Sequence, residues 1–151
     1  MNIKRLGQDL NEIINVLDLD EITLIGHSMG AATIYNYINQ FGCDKVKRIV
    51  ASDMSPYMRN NGWHGGIAQG KWSDEDFMED FDRIFDNVAY ASYYIFNNMM
   101  NPNPVDYSLD DKSFINSFAN SVEPLTMASL WYSLFRADQR LAMDKITVPF
   151  L

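Results

Sequence analysis

Apolar residues near the start of the chain recur at three- and four-residue intervals, which is the spacing of one face of an amphipathic helix. The residues in this pattern are Ile3, Leu6, Leu10, Ile13, Ile14 and Leu17. The next apolar segment, EITLIG at 21–26, is rich in β-branched residues and apolar on both sides. Such a segment is typical of a central strand in a parallel sheet. The pattern therefore predicts a helix followed by a buried strand.

Helical spacing returns after this strand. Apolar residues repeat from Met29 to Phe41, and Gly42 is suited to end a helix because glycine often follows the last helical residue. A second short apolar run at 46–52 predicts another strand. Helices that alternate with strands favour an α/β fold. We expect the two strands to be adjacent and parallel, joined by a right-handed crossover.

The pattern changes after Pro56. No strand signal occurs between about 56 and 140, where the sequence predicts helices and loops, including a helix near 110–121. Ser73 and Asp76 form an S-x-x-D start signal for one of these helices.

The last residues, DKITVPFL, predict the beginning of a third strand. The expected organisation is a core segment at 1–55, an all-helical insertion at 56–140 and a return to the core at 141–151.

Composition excludes several classes of protein. Apolar residues make up 47% of the 151 residues, which is enough for a packed core. The formal charge of −8 disfavours a nucleic-acid surface. No apolar run approaches the roughly 20 residues that span a bilayer. Cys43 is the only cysteine, so an internal disulfide is impossible, and a reducing, cytoplasmic location is predicted.

The segment GHSMG at 26–30 carries the clearest chemical signal. G-x-S-x-G is a weak motif by itself, but here it lies between a predicted strand and a predicted helix. A sharp turn at that position lifts a serine hydroxyl clear of the backbone, and flanking glycines remove side chains that would clash. We therefore predict that Ser28 is a nucleophile and that the backbone amide of Met29 is one donor of an oxyanion hole.

ITLIGHSMGA resembles the nucleophile elbow of the α/β-hydrolase superfamily. KVKRIVASDMSP is similar to the next core strand of that fold, and ADQRLAMDKITVPFL is similar to the return from its helical cap. Within the superfamily the chain most resembles the carboxylesterase and haloperoxidase-like branch, which has a helical cap. The resemblance implies a partial α/β-hydrolase fold and hydrolysis of an ester or similar acyl bond through an acyl-serine intermediate, without a metal or organic cofactor.

The resemblance also implies what the family has beyond this sequence. Its first strands, its second oxyanion donor, its usual catalytic acid and its histidine would all lie outside these residues. We therefore expect an internal fragment that is inactive by itself. In the family a cap of this kind covers the serine and forms an apolar acyl pocket, so the aromatic residues of the predicted cap, such as Trp72 and Trp131, imply a small apolar ester or acyl substrate. Most of these side chains are nevertheless expected to form the core of the helical insertion. The sequence leaves the oligomeric state open.

Three residues are candidates for the base or acid that would activate Ser28: His27, His64 and Asp53. His27 follows the strand directly, so its ring is expected to point away from the serine hydroxyl and pack beneath the turn. His64 lies in a glycine-rich loop and is more simply a solvated residue or one that lines the substrate site. Asp53 ends the second strand, at the edge of the sheet where ligands bind. It is a candidate acid, although a carboxylate that serves the turn at Ser55 is the simpler interpretation.

Two other functions stay open from the sequence. The chain could be a non-catalytic member of the fold that binds a ligand or partner, or it could use the same serine to transfer an acyl group to an acceptor other than water. Haloalkane dehalogenases and epoxide hydrolases are disfavoured, because their nucleophile is an aspartate where this chain has Ser28.

Overall fold

The computed structural model describes residues 1–67, 72–99, 113, 117 and 121–151. The chain forms two compact units, the first made of 1–58 and 136–151 and the second of 59–135. The first unit thus includes a few residues on either side of the boundaries that the sequence suggested. In chain order, the elements are α1 (Ile3–Val16), β1 (Ile22–His27), α2 (Met29–Phe41), β2 (Val46–Ser52), α3 (Asp74–Asp86), α4 (Val88–Met99), α5 (Pro124–Arg136) and α6 (Arg140–Lys145).

The sheet of the first unit is parallel, as the sequence predicted. β1 and β2 are adjacent, and their register runs from Thr23 opposite Arg48 to His27 opposite Ser52. The end of the chain adds a third parallel segment: the Ile49 amide donates to the Pro149 carbonyl at 3.0 Å, and the Leu151 amide donates to the Ile49 carbonyl at 3.0 Å. The pairing begins at Pro149, whereas the predicted strand begins at Ile146, the first apolar residue of DKITVPFL.

Helices α1 and α2 pack against each other and against one face of the sheet. Their buried core includes Ile14, Leu24, Ile38 and Ile49. The two helices approach each other closely at Gly7, where an added Cβ would lie 3.0 Å from the backbone nitrogen of Tyr37. The predicted amphipathic helix is confirmed. Ile14 near its end is buried, but two other residues of the predicted apolar face, Ile13 and Leu17, are exposed.

The opposite face of β1 is uncovered, which differs from the predicted burial on both sides. Leu24 is buried, whereas Thr23, Ile25 and His27 on the alternate positions are exposed, and Ile25 has 76% of its surface accessible. Successive side chains of a strand point to opposite faces of the sheet. Within the described chain, the core helices α1 and α2 bury the Leu24 face and leave the Ile25 face open.

This open face leads to a prediction about the isolated chain. Ile25 on this face is 76% exposed, and Val16 and Leu17 at the end of α1 are 82% and 61% exposed. Exposed apolar surface of this kind favours association. We expect the purified 151-residue chain to bind a hydrophobic fluorescent dye and to form oligomers. Ile25→Lys is expected to reduce both effects, measured by dye titration and size-exclusion chromatography; a dye-silent monomer would contradict the expectation.

The second unit is helical in its described part. Helix α3 begins with a full capping box, in which the Ser73 side chain accepts from the Asp76 amide and the Asp76 side chain accepts from the Ser73 amide. Phe77 is fully buried, with its ring centroid 4.4 Å from that of Phe135 and 5.4 Å from that of Trp131. The helix predicted near 110–121 falls almost entirely outside the described residues. Among the helices that are described, none has the length and apolar character needed to cross a bilayer.

Candidate functional site at the Ser28 corner

Ser28 forms the corner between β1 and α2 and adopts a strained backbone conformation. Its φ of 50° and ψ of −121° lie in a region that residues other than glycine rarely occupy. The main chain is held on both sides, because the Ser28 amide donates to the Ser52 carbonyl at 2.9 Å and the Ser28 carbonyl accepts from the amide of Ala31 at 2.9 Å. Such strain is typical of functional sites, where the surrounding structure maintains it.

The two glycines of the motif have different roles. An added Cβ at Gly26 would lie 2.6 Å from the backbone of both Gly30 and Ala31, so only glycine allows the helix to pass this close to the strand. The predicted clash is therefore real at Gly26. At Gly30 an added Cβ would meet no atom within 4 Å, so the expectation of a clash there is wrong. The second glycine leaves open space beside the corner.

Polar groups at the corner are free to act on a ligand. The Ser28 side chain makes no capping hydrogen bond to α2. The backbone amides of Met29 and Gly30 form no hydrogen bond with any described residue, because the first amides of a helix have no acceptor within it. The N-terminus of a helix also carries partial positive charge. These donors suit a developing negative charge near the Ser28 hydroxyl.

Asp53 occupies the equivalent position at the end of the neighbouring strand. Because His27 is paired with Ser52, the next residues, Ser28 and Asp53, follow the two strands at the same edge of the sheet. Asp53 is exposed, has a φ of 54°, and makes no hydrogen bond or ion pair with a described residue. The turn that follows is closed by the Ser55 hydroxyl, which donates to the Tyr57 carbonyl at 2.9 Å.

Tyr35 anchors the segment after Asp53, a role that the sequence did not indicate. Its hydroxyl donates to the Met54 carbonyl at 3.1 Å, and burial raises the pKa of the phenol, so the donor stays protonated. The helical periodicity at 29–41 indicates only that Tyr35 lies on the apolar face of α2. A buried tyrosine usually finds a partner for its hydroxyl, but only the fold identifies that partner.

Within the described part of the first unit, the neighbouring His27 does not provide Ser28 with a base. His27 is exposed rather than packed beneath the turn, because its side chain follows Ile25 onto the open face of β1. His64 lies in an exposed loop of the second unit. Among the described residues of the first unit, His27 forms no hydrogen bond with the Ser28 hydroxyl.

Comparisons with known proteins agree with this geometry. Residues 1–140 match the model of the alpha/beta hydrolase fold family. A bromoperoxidase from Bacillus anthracis is 18% identical with a TM-score of 0.75, over 95% of this chain and 52% of that one. An esterase from Exiguobacterium antarcticum is 17% identical with a TM-score of 0.77, over 99% of this chain and 53% of that one. A hydrolase from Oleispira antarctica is 18% identical with a TM-score of 0.79, over 99% of this chain and 52% of that one.

Two conclusions follow from these comparisons. The chain spans about half the length of the solved structures that it matches. The family match covers most of the sequence, including the Ser28 corner and both strands of the parallel sheet. With its partial sheet and helical second unit, the chain belongs to the alpha/beta hydrolase fold family.

Proposed function

We propose that the protein is a serine hydrolase that acts on an ester or similar acyl bond through an acyl-serine intermediate. The observation that carries this proposal is the strained Ser28 corner, with its uncapped hydroxyl and the unpartnered amide of Met29 beside it. Both features are needed for acyl transfer, because the nucleophile must be exposed and the negative charge that develops on oxygen must meet fixed donors.

The reaction would proceed in two steps. The Ser28 oxygen attacks the carbonyl carbon while its proton passes to a base, and the Met29 amide donates to the oxyanion. The alcohol then leaves with that proton, and the acyl group stays on Ser28. In the second step water attacks the ester, the base takes a proton from the water, and a carboxylic acid is released as Ser28 regains its hydrogen.

The base and its orienting acid are the unassigned parts of this mechanism. We assign the base to a histidine of the whole protein, since His27 forms no hydrogen bond with the Ser28 hydroxyl in the described first unit and the chain spans about half the length of the structures that it matches. Asp53 is the candidate acid, because it ends the strand next to Ser28 and its carboxylate is free of described partners. The relatives named esterase and hydrolase support a small acyl substrate for the protein.

In the described first unit no base is bonded to the Ser28 hydroxyl, and this observation favours a second candidate function. A member of the fold whose serine has no histidine can bind a ligand at the corner without turning it over, because an unactivated hydroxyl is a weak nucleophile at neutral pH. Binding would then use the free amides at the start of α2.

A fluorophosphonate probe, which phosphonylates activated serines, separates the two functions. It would be applied to the 151-residue chain and to the full product of the gene that encodes it. We expect strong labelling of the full product at Ser28, located by mass spectrometry, and little labelling of the 151-residue chain. Absence of labelling in the full product would favour the binding function, and labelling that survives Ser28→Ala would exclude Ser28 as the nucleophile.

A further inference from the structure

Asp80 is a fully buried acid in the second unit, with 0% of its surface exposed. A buried carboxyl is costly unless donors surround it. Trp72 Nε1 donates to its Oδ2 at 3.0 Å, and Arg83 Nη1 donates to its Oδ1 at 3.0 Å. One carboxyl group therefore connects the segment that precedes α3 to the middle of that helix.

Arg83 extends the connection to α4. Its guanidinium lies 3.9 Å from the ring centroid of Tyr94, and its Nη2 donates to Glu79 at 2.6 Å. The rings of Trp72 and Tyr94 are also neighbours, with centroids 6.4 Å apart. A change in the charge of Asp80 would therefore alter the hydrogen bond from Trp72, which precedes α3, and the position of Arg83 against Tyr94 of α4.

Trp131 on α5 is the third nitrogen donor near this carboxyl. Its Nε1 is buried and forms no hydrogen bond with a described residue. It nevertheless lies close enough to Asp80 to contribute to lowering the pKa of that carboxyl. A buried donor without an acceptor is unfavourable, and the nearby carboxyl has oxygen lone pairs that could receive it.

The protonation state of Asp80 is balanced between opposing effects. Burial raises the pKa of Asp80 from 3.8 to about 6, while hydrogen bonds from Trp72 and Arg83 and the charge of Arg83 lower it. Arg83 and Glu79 on α3 and Tyr94 on α4 are the other ionisable groups recorded around the cluster. Because the folded pKa lies above the ordinary value, Asp80 favours the folded state most at low pH. That contribution is lost as the pH rises through about 6.

We propose that Asp80 is a proton-controlled switch inside the second unit, which changes the hydrogen bonding of Trp72 and Trp131 together. The protonated carboxyl carries no charge and accepts weakly from its neighbours. The ionised carboxylate accepts only, forms stronger hydrogen bonds with Trp72 and Arg83, and draws in the unpartnered Trp131 N–H.

The test uses the full chain labelled with ¹⁵N-tryptophan. The three indole N–H signals would be followed between about pH 4.5 and 7.5 and assigned with Trp72→Phe and Trp131→Phe. We expect the Trp72 and Trp131 signals to move with one common midpoint near the Asp80 pKa of about 6. Asp80→Asn keeps the shape of the side chain but removes the titration, so both transitions should disappear.

Two controls exclude other sources of pH dependence. His64→Gln removes the imidazole beside Trp63 and should leave the transitions of Trp72 and Trp131 unchanged. Asp82→Asn removes an exposed acid on the same helix and should leave both midpoints unchanged. Transitions that persist in Asp80→Asn, or that vanish in His64→Gln, would overturn the proposal. If Asp80→Asn does not fold, the His64→Gln chain decides alone: a common midpoint supports the switch, and flat signals overturn it.

Discussion

Replacing Ser28 with alanine is expected to lower ester hydrolysis by the full gene product on the order of a thousandfold or more. Without the hydroxyl no acyl-serine can form, and only binding and the Met29 amide remain to favour the reaction. The rate would be followed as release of p-nitrophenol from short-chain p-nitrophenyl esters. The backbone should keep its shape, because the Ser28 side chain makes no capping hydrogen bond that alanine would lose.

Ser129→Ala is the matched control for this experiment. It also removes a hydroxyl from a helical segment, but that hydroxyl only donates to the Leu125 carbonyl of the same helix. We expect its rate to stay within about twofold of the unmodified protein. Asp53→Asn in the same assay tests the candidate acid, with an expected loss of about a hundredfold or more if Asp53 orients the base. An unchanged rate for Ser28→Ala would show that Ser28 is not the nucleophile. An unchanged rate for Asp53→Asn would exclude Asp53 as the acid and leave the assignment of Ser28 intact.

The second large effect is expected from Gly26→Ala, which should destabilise the first unit by about 3 kcal/mol. The new methyl group would lie 2.6 Å from backbone atoms of Gly30 and Ala31, and neither backbone can move without shifting the start of α2. The loss of stability would be measured as a lower midpoint of urea unfolding. Hydrogen exchange of the amides in β1 and α2 would assign that loss to the first unit.

Gly30→Ala provides the comparison, since the same methyl group meets no atom within 4 Å. Alanine also favours a helix over glycine, so we expect stability to be unchanged or raised by up to about 1 kcal/mol. Equal losses in the two variants would mean that the close approach at Gly26 does not limit the corner.

The fold followed closely from local patterns. The spacing of apolar residues gave α1 and α2, and the two β-branched runs gave the strands within one residue of their bounds at Ile22–His27 and Val46–Ser52. The S-x-x-D signal placed the start of α3, where a complete capping box is found. Such patterns are informative because helix periodicity, capping and strand composition depend on neighbours in sequence.

The candidate site was only partly visible in the sequence. The motif predicts Ser28 as the nucleophile and Met29 as an oxyanion donor, and the structure places both at a strand-to-helix corner, which has a local signature in the sequence. It did not reveal that Gly26 alone is required by close packing, nor that Tyr35 anchors the segment after Asp53. The Tyr35 hydrogen bond joins residues 19 positions apart. The close contact at Gly26 is with the nearby residues Gly30 and Ala31, but it depends on the exact path of the backbone through the turn.

The sequence by itself determined the α/β class, the bounds of β1 and β2 to within one residue and the position of the serine corner, since each is set by residues within a few positions of one another. It did not indicate α6 at Arg140–Lys145, where only a return to the core was predicted. Only the tertiary structure decided which face of β1 is covered, which acid is buried and where the histidine rings lie. Ile25 and Leu24 are equally apolar, yet one is 76% and the other 9% exposed, because burial depends on which elements pack against a face. Asp80 is one of several acids in the sequence of α3, and only the packing of Trp72 and Arg83 around it shows that it is buried.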